Sequence, residues 1–412
     1  MVARASVRVA AAAVLGVSGA AEAANPTYQA FFFAVCQGAP TGALAARCAE
    51  TPLGLGDLSG DSESSLNPSQ SLARNQSALA GGSARSTAVR EQGERLRDKD
   101  RDGAVRVDRG PWSFLASVSF SEIDRQPEDV VVGERRFTGD NQSFELGVDY
   151  RLSDRLVLGG LLGVERSELR FAAEAVGRNF TPASRAGDHD VDSQYLTLLG
   201  QFTLGDAGFI EWSAGFEKND GRYRRFSVFQ ESTRTRPQTN VAAEGDTDGS
   251  VWWVSVNAGL DFARGRWSVG PYGGLTRLRA EFDGYDERDR NGSGLAMRFS
   301  STARTALPAH VGVRASYTSS GARGVWIPQL RVEYRADLDE DSETVRASFL
   351  LDPRANQLAL DAPSWDRNGV VAGASVSAIL PNGWMWFLDY SALLGYENID
   401  RQRATLGLRY EF

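Results

Sequence analysis

At 412 residues the chain has room for two ordinary domains, or for one large barrel with an appendage. Its mean hydropathy is −0.32, and no apolar run of spanning length follows the first two dozen residues, which excludes membrane-crossing helices but not a β-barrel, whose wall alternates apolar and polar residues. The net charge of −8 argues against a nucleic-acid binder.

In chain order, Arg4 and Arg8 come first, then an apolar stretch over 9–17, then Ala21-Glu22-Ala23. That order is the pattern of a secretory signal, so residues 1–23 are read as a signal peptide taken by the Sec translocon, with the mature chain outside the cytoplasm. Cys36 and Cys48 are the only cysteines, and beyond the inner membrane such a close pair is expected to oxidise to a disulfide. A metal site needs more ligands than this stretch offers, since His189 and His310 lie far away; no metal or other cofactor is expected.

Residues 25–70 read as loop, rich in Gly, Pro, Ser and Ala, with Phe31-Phe32-Phe33 as the one apolar cluster. From 71 to 100 the texture turns helical, and Gly81-Gly82 is expected to split it in two. The second piece carries Arg85, Arg90, Arg95 and Arg97. This divides the chain into 1–23, a short amino-terminal segment 24–82, a linker and helix 83–110, and strands over 111–412.

From Trp112 onward the residues alternate with the two-residue period of strands. The clearest run puts Trp384, Trp386, Leu388, Tyr390, Leu394 and Tyr396 on one face, with Asp389, Ser391 and Gly395 on the other. Strands are expected near 112–123, 141–151, 156–170, 190–204, 208–226, 248–263, 266–283, 300–318, 324–337, 366–380, 383–397 and 400–412. Tight polar turns near 152–155, 205–207, 264–265, 319–323 and 381–382 alternate with long connections near 124–140, 171–189, 227–247, 284–299 and 338–365. Short turns alternating with long loops, on an even number of strands, predict an all-β fold: a twelve-stranded antiparallel transmembrane barrel.

The last strand is more specific. Thr405, Gly407, Leu408, Tyr410 and Phe412 resemble the carboxy-terminal signal of outer-membrane barrels, which implies recognition by the barrel-assembly machinery. Together with the arginine-bearing helix before strand one, the Trp326-x-Pro328-x-Leu330 run and Gly395-Tyr396, the chain over 83–412 resembles the translocator domain of type V autotransporters. The resemblance implies a helix running through the lumen as a plug. Its arginines are expected to meet inward acids such as Glu145, Asp149, Glu211, Asp261 and Asp389. The departure is the passenger: residues 25–82 are too few for a β-helix and hold no repeat.

Catalysis finds little support. Asp98 to Gly103 opens like a calcium loop, but its twelfth position is Arg109 and Pro111 follows, so a charged turn is the better account. Asp188-His189-Asp190 lies near the expected outer rim, where a barrel enzyme acting on lipid A or peptides would hold its base, yet neighbours on a strand point to opposite faces. No G-x-S-x-G turn is present. The expectation is a monomeric, non-enzymatic barrel in the cell outer membrane, in contact with lipid and lipopolysaccharide. It would anchor and display or translocate its short amino-terminal segment; a plugged channel is the alternative.

Overall fold

A computed structural model describes residues 26–101, 110–126, 135–174, 181–231, 237–339, 344–361, 368–396 and 399–411. The signal segment, most of the calcium-like run and Phe412 lie outside the described residues.

Among the described residues four α-helices come first: α1 (Pro26–Gln37), α2 (Gly42–Glu50), α3 (Gly60–Leu66) and α4 (Ala73–Arg101). Twelve barrel strands follow: β1 (Trp112–Arg125), β2 (Phe137–Ser153), β3 (Leu156–Ala172), β4 (Arg185–Leu204), β5 (Gly208–Phe229), β6 (Thr239–Leu260), β7 (Trp267–Phe282), β8 (Pro308–Tyr317), β9 (Gly324–Asp337), β10 (Asn368–Ile379), β11 (Trp384–Leu394) and β12 (Ile399–Glu411). Each pairs antiparallel with its neighbour in sequence, and β1 pairs with β12 from Ser113↔Glu411 to Arg125↔Ile399, so the barrel closes without leaving β1 or β12 as an open edge.

The alternation decides which way each residue points. Leu162 and Leu330 are 63% and 66% exposed and face outward, while Arg90, Asp149 and Glu333 inside are buried. Large apolar groups outside and charges inside are the inverse of a soluble core, as lipid outside demands. At the turn end, Trp112 stacks near Tyr150, Trp267 near Tyr317 and Trp384 near Tyr410, each pair directly in register with centroids 4.6–4.9 Å apart. These pairs form the aromatic girdle at one membrane interface.

Three sequence expectations change. Residues 25–70 are largely helical rather than loop. Pro26 occupies the first turn of α1, and the Ser59 side chain caps α3 by accepting from the Ser62 N–H; burial of the Phe31-Phe32 face supplies what composition did not reveal. The connections expected at 124–140, 171–189 and 227–247 are shorter, because β1 to β6 continue past the apolar outer band as long hairpins whose inner faces bury Phe137, Phe171, Phe229 and Val241. Cross-strand ion pairs hold these extensions, Arg224 to Asp190 at 2.6 Å and Arg222 to Asp246 at 3.4 Å. The strand expected at 300–318 is interrupted after Ala306: Pro308 has no N–H for the ladder, and Thr302–Ala306 pairs with β7 in unbroken register with β8.

Beyond the loop end, Tyr285–Asp286, Met297–Phe299, Thr344–Phe349 and Leu358–Asp361 form a second sheet of four short strands. Helices α1 to α3 pack on it. Tyr28, Phe31, Phe32, Leu44 and Leu66 share one core with Phe229, Met297, Phe299, Phe349 and Leu358.

Candidate functional site in the barrel lumen

Gly81 and Gly82 do not break the helix; α4 runs unbroken through 29 residues, about 43 Å at 1.5 Å per residue, long enough to traverse the barrel. Its glycines permit close approach to the wall. A Cβ on Gly82 would stand 2.8 Å from the Leu278 side chain, and one on Gly93 would overlap Glu211. Glycine costs a helix stability in water, but inside the barrel it sets the distance at which helix and wall meet.

The four sequence-predicted arginines are all met by the wall. Arg85 pairs with Glu165 at 3.1 Å and with Glu217. Arg90 pairs with Glu333 and, along the helix, with Glu94, both at 2.8 Å. Arg97 reaches Glu211 and, at 3.3 Å, Asp261. Arg95 lies over the Phe387 ring, 3.9 Å from its centroid.

Only two of the five expected acids, Glu211 and Asp261, pair with helix arginines. Glu145 accepts from Ser117 and Tyr195, at 2.9 and 2.8 Å. Asp149 is held by Arg409 at 2.9 Å and by the Gln92 amide, and Asp389 by Arg331 at 2.9 Å. Glu165, Glu217 and Glu333 were missed because the alternation says which residues face inward, not which face one another across the bore.

Each arginine also stacks on a ring: Arg85 on Tyr195, Arg90 on Tyr272, Arg95 on Phe387 and Arg97 on Phe209, at 3.5–4.7 Å. Each ring in turn lies against the glycine in register on the next strand, Gly163, Gly312, Gly407 and Gly259 respectively. A Cβ on any of these glycines would stand 2.8 Å or less from the ring. The glycine lets the ring fold flat along the wall and offer its face to the cation. Gly407, read from the sequence as part of the closing-strand signal, therefore also seats the ring under Arg95.

The wall is charged asymmetrically. Glu145, Asp149, Glu165, Glu211 and Glu217 occupy β2 to β5 and Asp261 directly follows β6, whereas Arg314, Arg331, Arg335, Arg401, Arg403 and Arg409 line β8 to β12, with Glu333 and Asp389 as acids among them. The helix matches both sides: Glu91 pairs with Arg331 at 2.5 Å, and Arg403 donates to the Ala84 carbonyl at 3.0 Å. A void of about 20 Å³ remains beside Ala84, Arg85, Glu145 and Arg403, room for about one water.

At the loop end, α3 is bolted to the tip of β5. The Ser62 hydroxyl donates to the Gln230 carbonyl and accepts from its N–H, Val228 N–H donates to Ser65 Oγ, and Ser59 N–H donates to Glu231. Burial pushes the Glu63 and Glu231 carboxyls above the usual carboxylate range. Arg135 donates to the Ser64 and Ser65 carbonyls at the end of α3 and pairs with Glu174. Cys36 and Cys48 form the expected disulfide, Cα atoms 5.4 Å apart, joining α1 to α2. Replacing Cys48 with Ser should cost the helices about 3 kcal/mol for a loop of this size and expose residues 26–72 to protease. Limited proteolysis of the refolded chain checks this; equal cleavage rates would mean that packing alone holds them.

The rim triplet does not assemble a base. The His189 ring lies between Phe171 and Tyr223, with centroids 4.7 and 4.3 Å away, and Asp188 is bound by Arg185 and Arg224. His310 lies near Tyr272.

A closed, lipid-facing barrel of twelve strands with a charged helix inside defines the class: an outer-membrane β-barrel with an occupied lumen. The profile of the autotransporter beta-domain family matches residues 126–391, more than half of the chain, and the chain belongs to that family. The translocator domain of the autotransporter NalP from Neisseria meningitidis has the same fold, with a TM-score of 0.57 at 16% identity, covering 84% of this chain and all of that one. The beta domain of the Bordetella autotransporter BrkA aligns at 17% identity with a TM-score of 0.48, over 73% of this chain and 99% of that one. An uncharacterized protein from the trpE-trpG intergenic region of Pseudomonas putida is 27% identical over 187 residues, 43% of this chain. The chain spans only 28% of that relative. Family and fold place the chain in the cell outer membrane, in contact with its lipid, with the long loops on the outer face.

Proposed function

We propose that this autotransporter-type barrel carries residues 26–72 to the cell surface and keeps them there as a fixed cap, while α4 plugs the lumen behind them. The role is structural and presentational, not catalytic. The observation that carries this reading is the common core of the amino-terminal helices and the outer loops, in which Phe31 stacks on Phe349 at 5.4 Å. A released passenger has no need of such a core. Export through the Sec translocon and recognition of β12 by the barrel-assembly machinery belong to the same reading, and so does the division into signal, cap, plug helix and barrel.

The test is an epitope placed after Leu53, which is 92% exposed at the tip of a turn. It should bind antibody on intact cells and remain with the cells. Binding only after permeabilisation would rule out surface presentation, and recovery of the epitope in the medium would show release. The second reading is a channel closed by the same helix; it draws support from the fact that every contact named above between helix and wall is non-covalent.

A further inference from the structure

We infer that the outer wall of β3 to β7 holds a phosphorylated glycolipid of the outer leaflet, through Arg166, Lys218 and Arg277. On the outward face of its strand each of these cations follows an exposed apolar residue two positions earlier: Val164 before Arg166, Phe216 before Lys218, and Leu275 before Arg277. All three are exposed, and each sits where the hydrocarbon-facing surface gives way to the headgroup layer.

Their pairing sets them apart. Farther out on the same wall the arginines are matched by acids: Arg170 with Glu168 at 2.7 Å, Arg224 with Asp190 at 2.6 Å, and Arg279 with Glu281 at 2.6 Å. Among the described residues Arg166, Lys218 and Arg277 have no carboxylate within 4 Å, although Asp192 stands in register with Arg166 and shares its groove, and the Arg166 charge also acts on Glu168 from farther away. Cations left unmatched at headgroup level, on a chain of net charge −8, call for an external anion. Lys218 is one of only two lysines in the chain.

A second observation is independent of charge. Two shallow grooves, about 480 and 470 Å³, run down the lipid-facing wall and meet at Phe144, Val164 and Gln194. One reaches Lys218 at its edge and the other Arg166, while Leu162, Leu196 and Phe216 line the first. Apolar channels ending at unmatched cations fit an amphiphile with several acyl chains and more than one phosphate. That is the chemistry of the lipid A portion of lipopolysaccharide, and a single-phosphate glycerophospholipid engages fewer of the cations.

Native mass spectrometry of the full chain in detergent, titrated with bis-phosphorylated lipid A, tests the site. Wild type should retain the lipid, and R166Q/K218Q/R277Q should bind on the order of a hundredfold more weakly. R279Q, which touches an ion-paired arginine, should change little. Heat-modifiable migration in gels verifies that each variant is folded. Lipid A stripped of both phosphates should bind wild type as weakly as the triple variant binds intact lipid A, an arm that needs no substitution. Phosphatidylglycerol binding as tightly as lipid A, or intact lipid A binding the triple variant undiminished, would overturn the assignment.

Discussion

Deleting residues 26–97 should turn a silent barrel into an open pore. In planar bilayers the full chain is expected to show conductance near zero. The deletion should give steady channels matching a bore about 10 Å wide, the diameter of the helix removed. The physical basis is the fit: the void beside Arg85 has room for about one water, and helix side chains engage both the acidic strands β2 to β5 and the basic strands β8 to β12. The vacated bore should favour cations weakly. With Glu333 and Asp389 added, the lumen carboxylates named above outnumber its guanidiniums. A variant with 83–97 replaced by a Gly/Ser linker keeps the cap in place and separates its contribution from that of the helix. If the deletion variant is folded, as judged by heat-modifiable migration, and still conducts nothing, the helix is not what closes the pore.

The second large effect concerns stability. Arg90 is 2% exposed and meets Glu333, Glu94 and the Tyr272 ring at once. Arg90→Ala leaves two buried carboxylates without that cation, a loss expected to cost about 3–5 kcal/mol. Urea unfolding of the barrel in detergent should show the midpoint falling accordingly, with little change in slope. Glu333→Gln alone should also destabilise, and the double variant should lose clearly less than the sum, because each single change strands the other partner. A loss under about 1 kcal/mol for Arg90→Ala would mean that water enters the lumen and screens the charge.

How much of this was legible beforehand differs by level. Strand number, wall orientation and the turn end followed from the two-residue period, because bilayer and lumen impose opposite demands on alternate residues. That signal fades where β1 to β6 leave the membrane: past residue 170 on β3 and 226 on β5 the sequence reads as loop, although Phe171 and Phe229 there are buried and still in strand. Gly81-Gly82 misled for a related reason. A glycine pair weakens a helix in solvent, and nothing local announces that Leu278 will pack against it. The lumen arginines were visible because charge on a helix facing charge on a wall is compositional. Their partners Glu217 and Glu333, and the rings of Tyr195 and Tyr272, were not, since which strands face each other depends on closure and stagger. One signal was available once register is known: a glycine directly opposite an aromatic on inward positions of adjacent strands.

The closed β1–β12 seam and the folded helices beyond the loop end have a joint mechanical consequence. The chain is threaded through a ring that cannot open without breaking a full strand pairing, and on the far side it carries a disulfide-knotted stopper fused to the rim. On the surface presentation proposed for residues 26–72, retreat toward the periplasm requires the stopper to unfold first, whereas arrival requires only that it fold after passing. Folding outside the membrane would then rectify the proposed passage and lock the molecule as an interlocked ring and axle, rather than leave it held by affinity alone.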